Sequence, residues 1–227
     1  MQKLSRLVIL TGHYGSGKTN LSLNIAVALK RQGREVTLAD LDIVNPYFRS
    51  ADFAPLAQQH QIELIAPNFA NTNLDAPSLP PALGARIDSN RTLVIDVGGD
   101  DAGAYALGRY APRIAPKPYD LLYVINCYRY LTQQPQEALE LLREIEAASR
   151  LKATGIINNS NLAGLTTPQE LTASVQWAEK VSALAGIPLL ATTAPRGLYE
   201  TLPSQTGYCP VDIYVKAPWQ SQTRAES

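Results

Sequence analysis

A glycine-rich stretch near the N-terminus restricts the possible folds of this chain more than any other feature. It runs from Gly12 to Thr19, reads GHYGSGKT, and follows the short apolar run Leu7 to Leu10. A helical pattern comes next, in which Leu21, Ile25 and Leu29 recur at every fourth position. A strand, a glycine-rich turn and a helix in this order are the required context of a phosphate-binding loop.

The residue types of this loop suit a nucleoside triphosphate. Its glycines allow positive φ, so that successive N–H groups can converge on an anion, and the N-terminus of the following helix adds partial positive charge. Lys18 can reach the β- and γ-phosphates, and the Thr19 hydroxyl can coordinate Mg²⁺. We therefore predict a nucleotide site that includes every residue of the loop, namely Gly12, His13, Tyr14, Gly15, Ser16, Gly17, Lys18 and Thr19.

Composition indicates one cytoplasmic domain that binds neither nucleic acid nor membrane. A chain of 227 residues is an ordinary size for a single α/β domain, which we place at 1–219, with a flexible tail at 220–227. Basic and acidic side chains both number 20, so no basic face for nucleic acid is predicted. Cys127 and Cys209 are far apart, which disfavours a disulfide framework and a zinc site. The apolar run before the loop is too short for a secretory signal, and no segment is long enough to span a membrane.

Segments typical of strands alternate with helical patterns along the rest of the chain. This alternation predicts an α/β fold with three layers, α/β/α, and a mostly parallel, doubly wound sheet of about seven to eight strands, as in P-loop NTPases. The pattern further predicts an edge strand over 62–66, an irregular region over 67–83, one helix over 102–114 and a last strand over 211–215.

Polar side chains follow several of the predicted strands. Asp40 and Asp42 end the second strand, Asp96 ends the apolar strand of LVIDVGG as a Walker B residue does, and Asn158 follows the strand of IINN. Ligands of parallel sheets bind beyond the carboxyl ends of the strands. We therefore expect these four side chains to meet the loop at one edge of the sheet, although Asp40, Asp42 and Asn158 could also serve only to fix turns and loop backbone.

The four motifs GHYGSGKT, DLD, LVIDVGG and IINN resemble those of the MinD/ParA/CobQ group of P-loop proteins, within the SIMIBI class. The resemblance implies a Mg²⁺-dependent ATPase in which Lys18 and Thr19 hold phosphate and metal. It also implies that Asp42 orients the attacking water or the water shell of the metal, and that Asp96 holds Mg²⁺ through water. Asn158 would contact the base.

One position departs from the resemblance. The second loop residue of MinD-like proteins is an additional lysine that reaches the nucleotide of a dimer partner, and here it is His13. We therefore expect any ATP-dependent homodimer to be weaker than in those proteins. Hydrolysis should be slow unless Arg49, Arg129 or another protein supplies the missing cation.

Three functions remain open at this point. The first is a nucleotide switch with an unknown protein partner, and the second is an ATP-dependent small-molecule kinase or cobyrinate-type amide ligase, whose acceptor would lie over Asn45 to Arg49. The third is a GTPase metallochaperone. Proteins that bind guanine usually carry an aspartate three residues after the asparagine, and position 161 is Asn161, which disfavours the third function.

Overall fold

The computed structural model describes residues 4–42, 53–66, 81–162, 165–202, 204 and 206–215. The strands are β1 (Leu7–Thr11), β2 (Val36–Leu41), β3 (Glu63–Ile65), β4 (Thr92–Val97), β5 (Tyr119–Ile125), β6 (Gly155–Asn158), β7 (Leu189–Pro195) and β8 (Tyr208–Val211). The helices are α1 (Lys18–Arg31), α2 (Ala54–Gln59), α3 (Pro81–Asp88), α4 (Asp101–Gly108), α5 (Ala111–Ile114), α6 (Pro135–Ser149), α7 (Pro168–Ala185) and α8 (Arg196–Tyr199).

The described strands form one sheet in the order β3-β2-β4-β1-β5-β6-β7-β8. All the pairings between neighbours are parallel. Strand β1 lies between β4 and β5, so the chain first builds the sheet on one side of β1 and then on the other. The crevice where a doubly wound sheet binds its ligand therefore lies at the carboxyl end of β1, where the phosphate-binding loop begins.

Helices cover both faces of the sheet because successive residues of a strand point to opposite faces. Val8 and Leu10 of β1 are fully buried in a core that includes Ile25 of α1. Leu7 and Ile9 are buried in a second core, on the other face, with residues of α3, α4 and α5. The predicted three-layer α/β/α fold and its parallel sheet are thereby confirmed.

Some boundaries differ from the prediction. The edge strand is present as β3, and the predicted helix over 102–114 is divided into α4 and α5. Helix α3 begins inside the stretch that we predicted to be irregular. The last strand, β8, lies earlier than predicted, because residues 212–215 bind side chains of α1 instead of continuing the strand.

Several predicted features lie outside the described residues. They include the acceptor region from Asn45 to Arg49, most of the irregular region, and the tail at 220–227. In the part of the chain that the structure describes, no helix has both the length and the hydropathy to cross a membrane.

Candidate functional site

The loop between β1 and α1 has the conformation that its glycines predict. Gly12, Gly15 and Gly17 all have positive φ, at 146°, 72° and 87°. The Ser16 N–H donates to the His13 carbonyl over 3.1 Å, which closes the turn. Gly17 precedes α1 in the left-handed conformation, and no side chain of the described residues caps the start of the helix. Within the described part of the chain, the first amides of α1 therefore have no side-chain partner, which suits the binding of an anion at this helix terminus.

Lys18 is buried beside this loop. Its Nζ donates to the His13 carbonyl over 3.0 Å, and only 7% of the residue is exposed. Burial lowers the pKa of the Lys18 ammonium, while the nearby carboxylates of Asp96, Asp42 and Asp100 oppose this change. A buried ammonium next to convergent amides suits the binding of a polyanion.

Two buried carboxyl groups lie next to each other at the end of the sheet. Asp40 on β2 and Asp96 on β4 are register partners, and their exposed fractions are 1% and 2%. The Ser22 hydroxyl donates to Asp96 Oδ1 over 3.1 Å. Burial, and secondly the charge of Asp40, raise the pKa of Asp96 to about 7. Two adjacent buried carboxylates of this kind need a cation for both to be ionised near neutral pH.

Asp42 directly follows β2 and lies next to the turn between β4 and α4. Its backbone N–H donates to Asp40 Oδ1 over 2.8 Å. A Cβ added to Gly98 would lie 3.3 Å from Asp42 Oδ1 and 3.2 Å from Asp100 Oδ1, so the three residues are neighbours. Asp100 in turn caps α4 by accepting from the Gly103 N–H over 2.9 Å. The described part of the site therefore brings Asp42, Asp96 and the loop to one edge of the sheet.

The donor set fits a nucleotide with Mg²⁺. Ser16 Oγ is buried and has no hydrogen-bond partner among the described residues, as expected beside a loop that receives an anion. The described residues contain no group of three or more His, Cys, Asp or Glu side chains arranged to hold a metal. Magnesium in phosphate sites is usually held by one or two side chains together with waters and phosphate oxygens, and Thr19, Asp42 and Asp96 provide such oxygens.

Comparison of the sequence with models of known protein families identifies the family of this chain. Residues 7–188 match the model of the CobQ/CobB/MinD/ParA nucleotide binding domain, also called CbiA. The chain belongs to this family. The resemblance drawn from the four sequence motifs is thereby confirmed, and the protein is a P-loop nucleotide-binding protein. A comparison with curated proteins gave no match.

Solved structures similar to this CobQ/CobB/MinD/ParA domain include FtsY from Mycoplasma mycoides, with a TM-score of 0.56 and 17% identity over 85% of this chain and 61% of that one. Another is the signal recognition particle 54 kDa protein from Aeropyrum pernix in complex with GDP, with a TM-score of 0.56 and 17% identity. This match covers 85% of our chain and 42% of that protein. Chloroplast FtsY from Physcomitrella patens has a TM-score of 0.56 and 20% identity over 85% and 60%. Our chain thus spans about three fifths or less of the length of these proteins, and the likeness concerns the fold.

The surroundings of Asn158 differ from those expected for a residue that contacts the base of a nucleotide. Asn158 is fully buried, and its Nδ2 donates to Ser174 Oγ over 2.9 Å and to Thr192 Oγ1 over 3.3 Å. Its Oδ1 accepts from the N–H and the hydroxyl of Ser160. These bonds use its polar atoms inside the fold, so its contact with the base remains a prediction that the geometry does not favour.

The adjacent Asn159 is the residue that the sequence interpretation missed. Its Nδ2 donates to the Ser16 carbonyl over 2.6 Å, and its Oδ1 accepts from the Thr193 hydroxyl of β7. A Cβ on Gly17 would lie only 2.3 Å from Asn159 Nδ2, so this contact requires glycine there. The available signal was the second asparagine of IINN, which is the first residue after β6.

His13 occupies the position of the additional lysine of MinD-like proteins. Its Nδ1 lies 2.9 Å from the Tyr14 carbonyl oxygen, so the ring is folded back onto the loop. The side chain of Tyr14 is exposed. In this conformation His13 contacts its own loop and does not extend away from it.

Proposed function

We propose that this protein is a Mg²⁺-dependent ATP-binding protein and slow ATPase that acts as a MinD/ParA-like nucleotide switch. The observation that carries the proposal is the meeting of three groups at the carboxyl end of β1. The loop amides, the buried Lys18 ammonium and the Asp40–Asp96 carboxyl pair lie together there.

Each group has a distinct part in this function. The amides of the loop hold the phosphates, and Lys18 neutralises the charge between the β- and γ-phosphates. Thr19, Asp42 and Asp96 are the residues that would hold Mg²⁺, Asp96 through water. The bound ion would neutralise charge that develops on the phosphate oxygens. The Ser22 hydroxyl fixes the orientation of Asp96.

Asp42 has the more direct part in hydrolysis. Its carboxylate can accept a hydrogen bond from a water, whose oxygen attacks the γ-phosphorus while the bond to the β–γ bridging oxygen breaks. The products are ADP and inorganic phosphate. Asp42 is partly exposed, whereas Asp40 and Asp96 are buried, and this supports the assignment because a water can reach a partly exposed carboxylate.

The proposed base is adenine. Proteins that bind guanine usually place an aspartate three residues after the asparagine that follows the equivalent strand. Counting from Asn158 leads to Asn161, and counting from Asn159 leads to Leu162. Neither residue has a carboxylate to accept from the N1–H and the amino group of guanine.

A melting scan tests the proposal. Nucleotide at about 100 times its Kd should stabilise the fold by about 2.7 kcal/mol, and this should raise the melting temperature with Mg-ATP more than with Mg-GTP. The variant Lys18→Ala should keep the melting temperature of the nucleotide-free protein within a few degrees and lose the rise. Equal or larger stabilisation by Mg-GTP would contradict the choice of adenine. No stabilisation by either nucleotide would contradict nucleotide binding itself.

A further inference from the structure

The side chain of Arg129 lies against the phosphate-binding loop. A Cβ added to Gly15 would lie 3.3 Å from Arg129 Nε and 3.4 Å from its Cζ. The guanidinium therefore occupies the space that a side chain at position 15 would fill. Gly15 also has a φ of 72°, a conformation that residues other than glycine rarely adopt. Both features keep the apex of the loop open to Arg129.

The backbone of Arg129 is fixed by the segment that follows β5. The Arg129 N–H donates to the carbonyl of the buried Asn126 over 3.2 Å, and the Thr132 hydroxyl donates to the same carbonyl over 2.9 Å. The Tyr128 hydroxyl donates to the Glu170 carbonyl of α7 over 2.9 Å. Because β5 pairs directly with β1, this anchored segment lies beside the loop that follows β1.

The guanidinium has no anionic partner in the described part of the chain. Other arginines there, such as Arg86 and Arg196, form ion pairs with Glu63 and Asp212, whereas no ion pair joins Arg129 to a described carboxylate. Arg129 is also exposed to solvent. A planar guanidinium with its N–H groups available is well suited to two-point binding of a phosphate.

The Lys18 ammonium and the Arg129 guanidinium lie on different sides of the glycine-rich turn. A Cβ on Gly99, which follows β4, would lie 2.9 Å from Lys18 Nζ. Arg129 comes instead from the end of β5, and β4 and β5 flank β1 on opposite sides. The loop therefore lies between a buried ammonium and an exposed guanidinium.

We propose that Arg129 binds the terminal phosphate of the nucleotide and so strengthens the binding of a triphosphate from within the same chain. This inference rests on the proposed function. It assigns a phosphate-binding role to a residue outside the glycine-rich loop, and it predicts that Arg129 distinguishes a triphosphate from a diphosphate.

The test compares the affinities of two nucleotides in variants of the full chain. Isothermal titration with Mg-ADP and with a non-hydrolysable Mg-ATP analogue gives a ratio of Kd values for each protein. In Arg129→Ala and Arg129→Gln the affinity for the ATP analogue should fall by roughly ten- to hundred-fold, as expected for the loss of a charged hydrogen bond, while that for ADP changes much less. Arg129→Lys should retain part of the preference for the triphosphate.

Arg109→Ala is the matched control, because Arg109 is an exposed arginine that follows α4 and makes no described ion pair. Its Kd ratio should equal that of the wild type. If the wild type binds both nucleotides and Arg129→Ala and Arg129→Gln keep the wild-type ratio, Arg129 only packs on Gly15 and the inference fails while the proposed function stands. An equal loss of ADP and ATP affinity would also overturn it, since this result describes a general effect on the loop. If the wild type binds neither nucleotide, the proposed function and the inference fail together.

Discussion

Asp96 is the residue at which burial and function conflict most directly. Its carboxyl group is 2% exposed beside Asp40, and burial raises its pKa to about 7. In the unfolded chain an aspartate has a pKa of about 3.9. Between a pH of about 3.9 and a pH of about 7, the Asp96 carboxyl group is protonated in the folded protein and ionised in the unfolded chain. The free energy of unfolding of the nucleotide-free protein should therefore decrease as the pH rises through this window and should level off above it.

The variant Asp96→Asn isolates this effect because an amide does not titrate. We expect the unfolding free energy of wild type minus that of Asp96→Asn to fall by up to about 1.4 kcal/mol per pH unit between pH ~5 and ~7. Urea unfolding at several pH values measures it. The variant Asp101→Asn, which replaces an exposed carboxylate in the first turn of α4, is the matched control for the exchange of a carboxylate for an amide. A pH-independent difference for Asp96→Asn would mean that Asp96 is ionised in the folded protein throughout.

At the scale of secondary structure, the Asn159 amide connects three elements. It follows β6, accepts from Thr193 of β7, and donates to the Ser16 carbonyl of the loop before α1. The variant Asn159→Ala leaves both of these groups buried without this partner. We expect it to lower the free energy of unfolding by about 1–3 kcal/mol and to weaken nucleotide binding, because the loop is no longer held. Urea unfolding and titration with Mg-ATP measure the two effects.

Thr193→Val is the matched control for this prediction. It removes the hydroxyl that orients Asn159 but leaves the bond from Asn159 to the loop. Its effect on nucleotide affinity should be smaller than that of Asn159→Ala. Wild-type stability and affinity in Asn159→Ala would show that the loop keeps its conformation without this bond.

Secondary-structure elements that depend on neighbouring residues could be predicted from the sequence, and those that depend on distant residues could not. The loop, β4 and α7 were predictable because local features determine them: glycine positions, a continuous apolar run, and a capping box between Thr167 and Glu170. The position of β8 was not, because it depends on distant side chains. Asn20 and Asn24 of α1 bind the backbone of Asp212, and this contact ends the strand.

Helix α3 illustrates a different difficulty. Leu83 and Ile87 lie four positions apart and are fully buried in the core, so a helical signal was present. Prolines and polar residues just before them made the whole stretch look irregular.

In the site, the carboxylates after β2 and β4 were predictable from strand ends, whereas the choice between Asn158 and Asn159 depended on which side chain faces α7 and which faces the loop.

At the scale of the whole molecule, the residue at position 13 affects how two copies of the chain associate at the nucleotide site. Relatives with the additional lysine form face-to-face dimers over two ATP molecules, and here the lysine is replaced by His13, whose ring is folded back onto the Tyr14 carbonyl. An imidazole is shorter than a lysine side chain, so His13 cannot extend an ammonium toward the nucleotide of a partner. Apolar and aromatic side chains are nevertheless exposed near the loop, including Tyr14, Tyr130 and Leu131, with exposed fractions of 55%, 80% and 56%.

These features predict an ATP-dependent homodimer that is weak in the wild type and stronger in His13→Lys. The added ammonium can reach the phosphates of the partner's nucleotide, whereas exposed apolar side chains alone give little dependence on the nucleotide. Sedimentation velocity over a range of protein concentrations, with ADP and with a non-hydrolysable ATP analogue, measures the dimer in both proteins. We expect the analogue to increase the dimer fraction more in His13→Lys than in wild type, and ADP to leave both monomeric. A tight wild-type dimer that His13→Lys does not strengthen would show that assembly is independent of position 13.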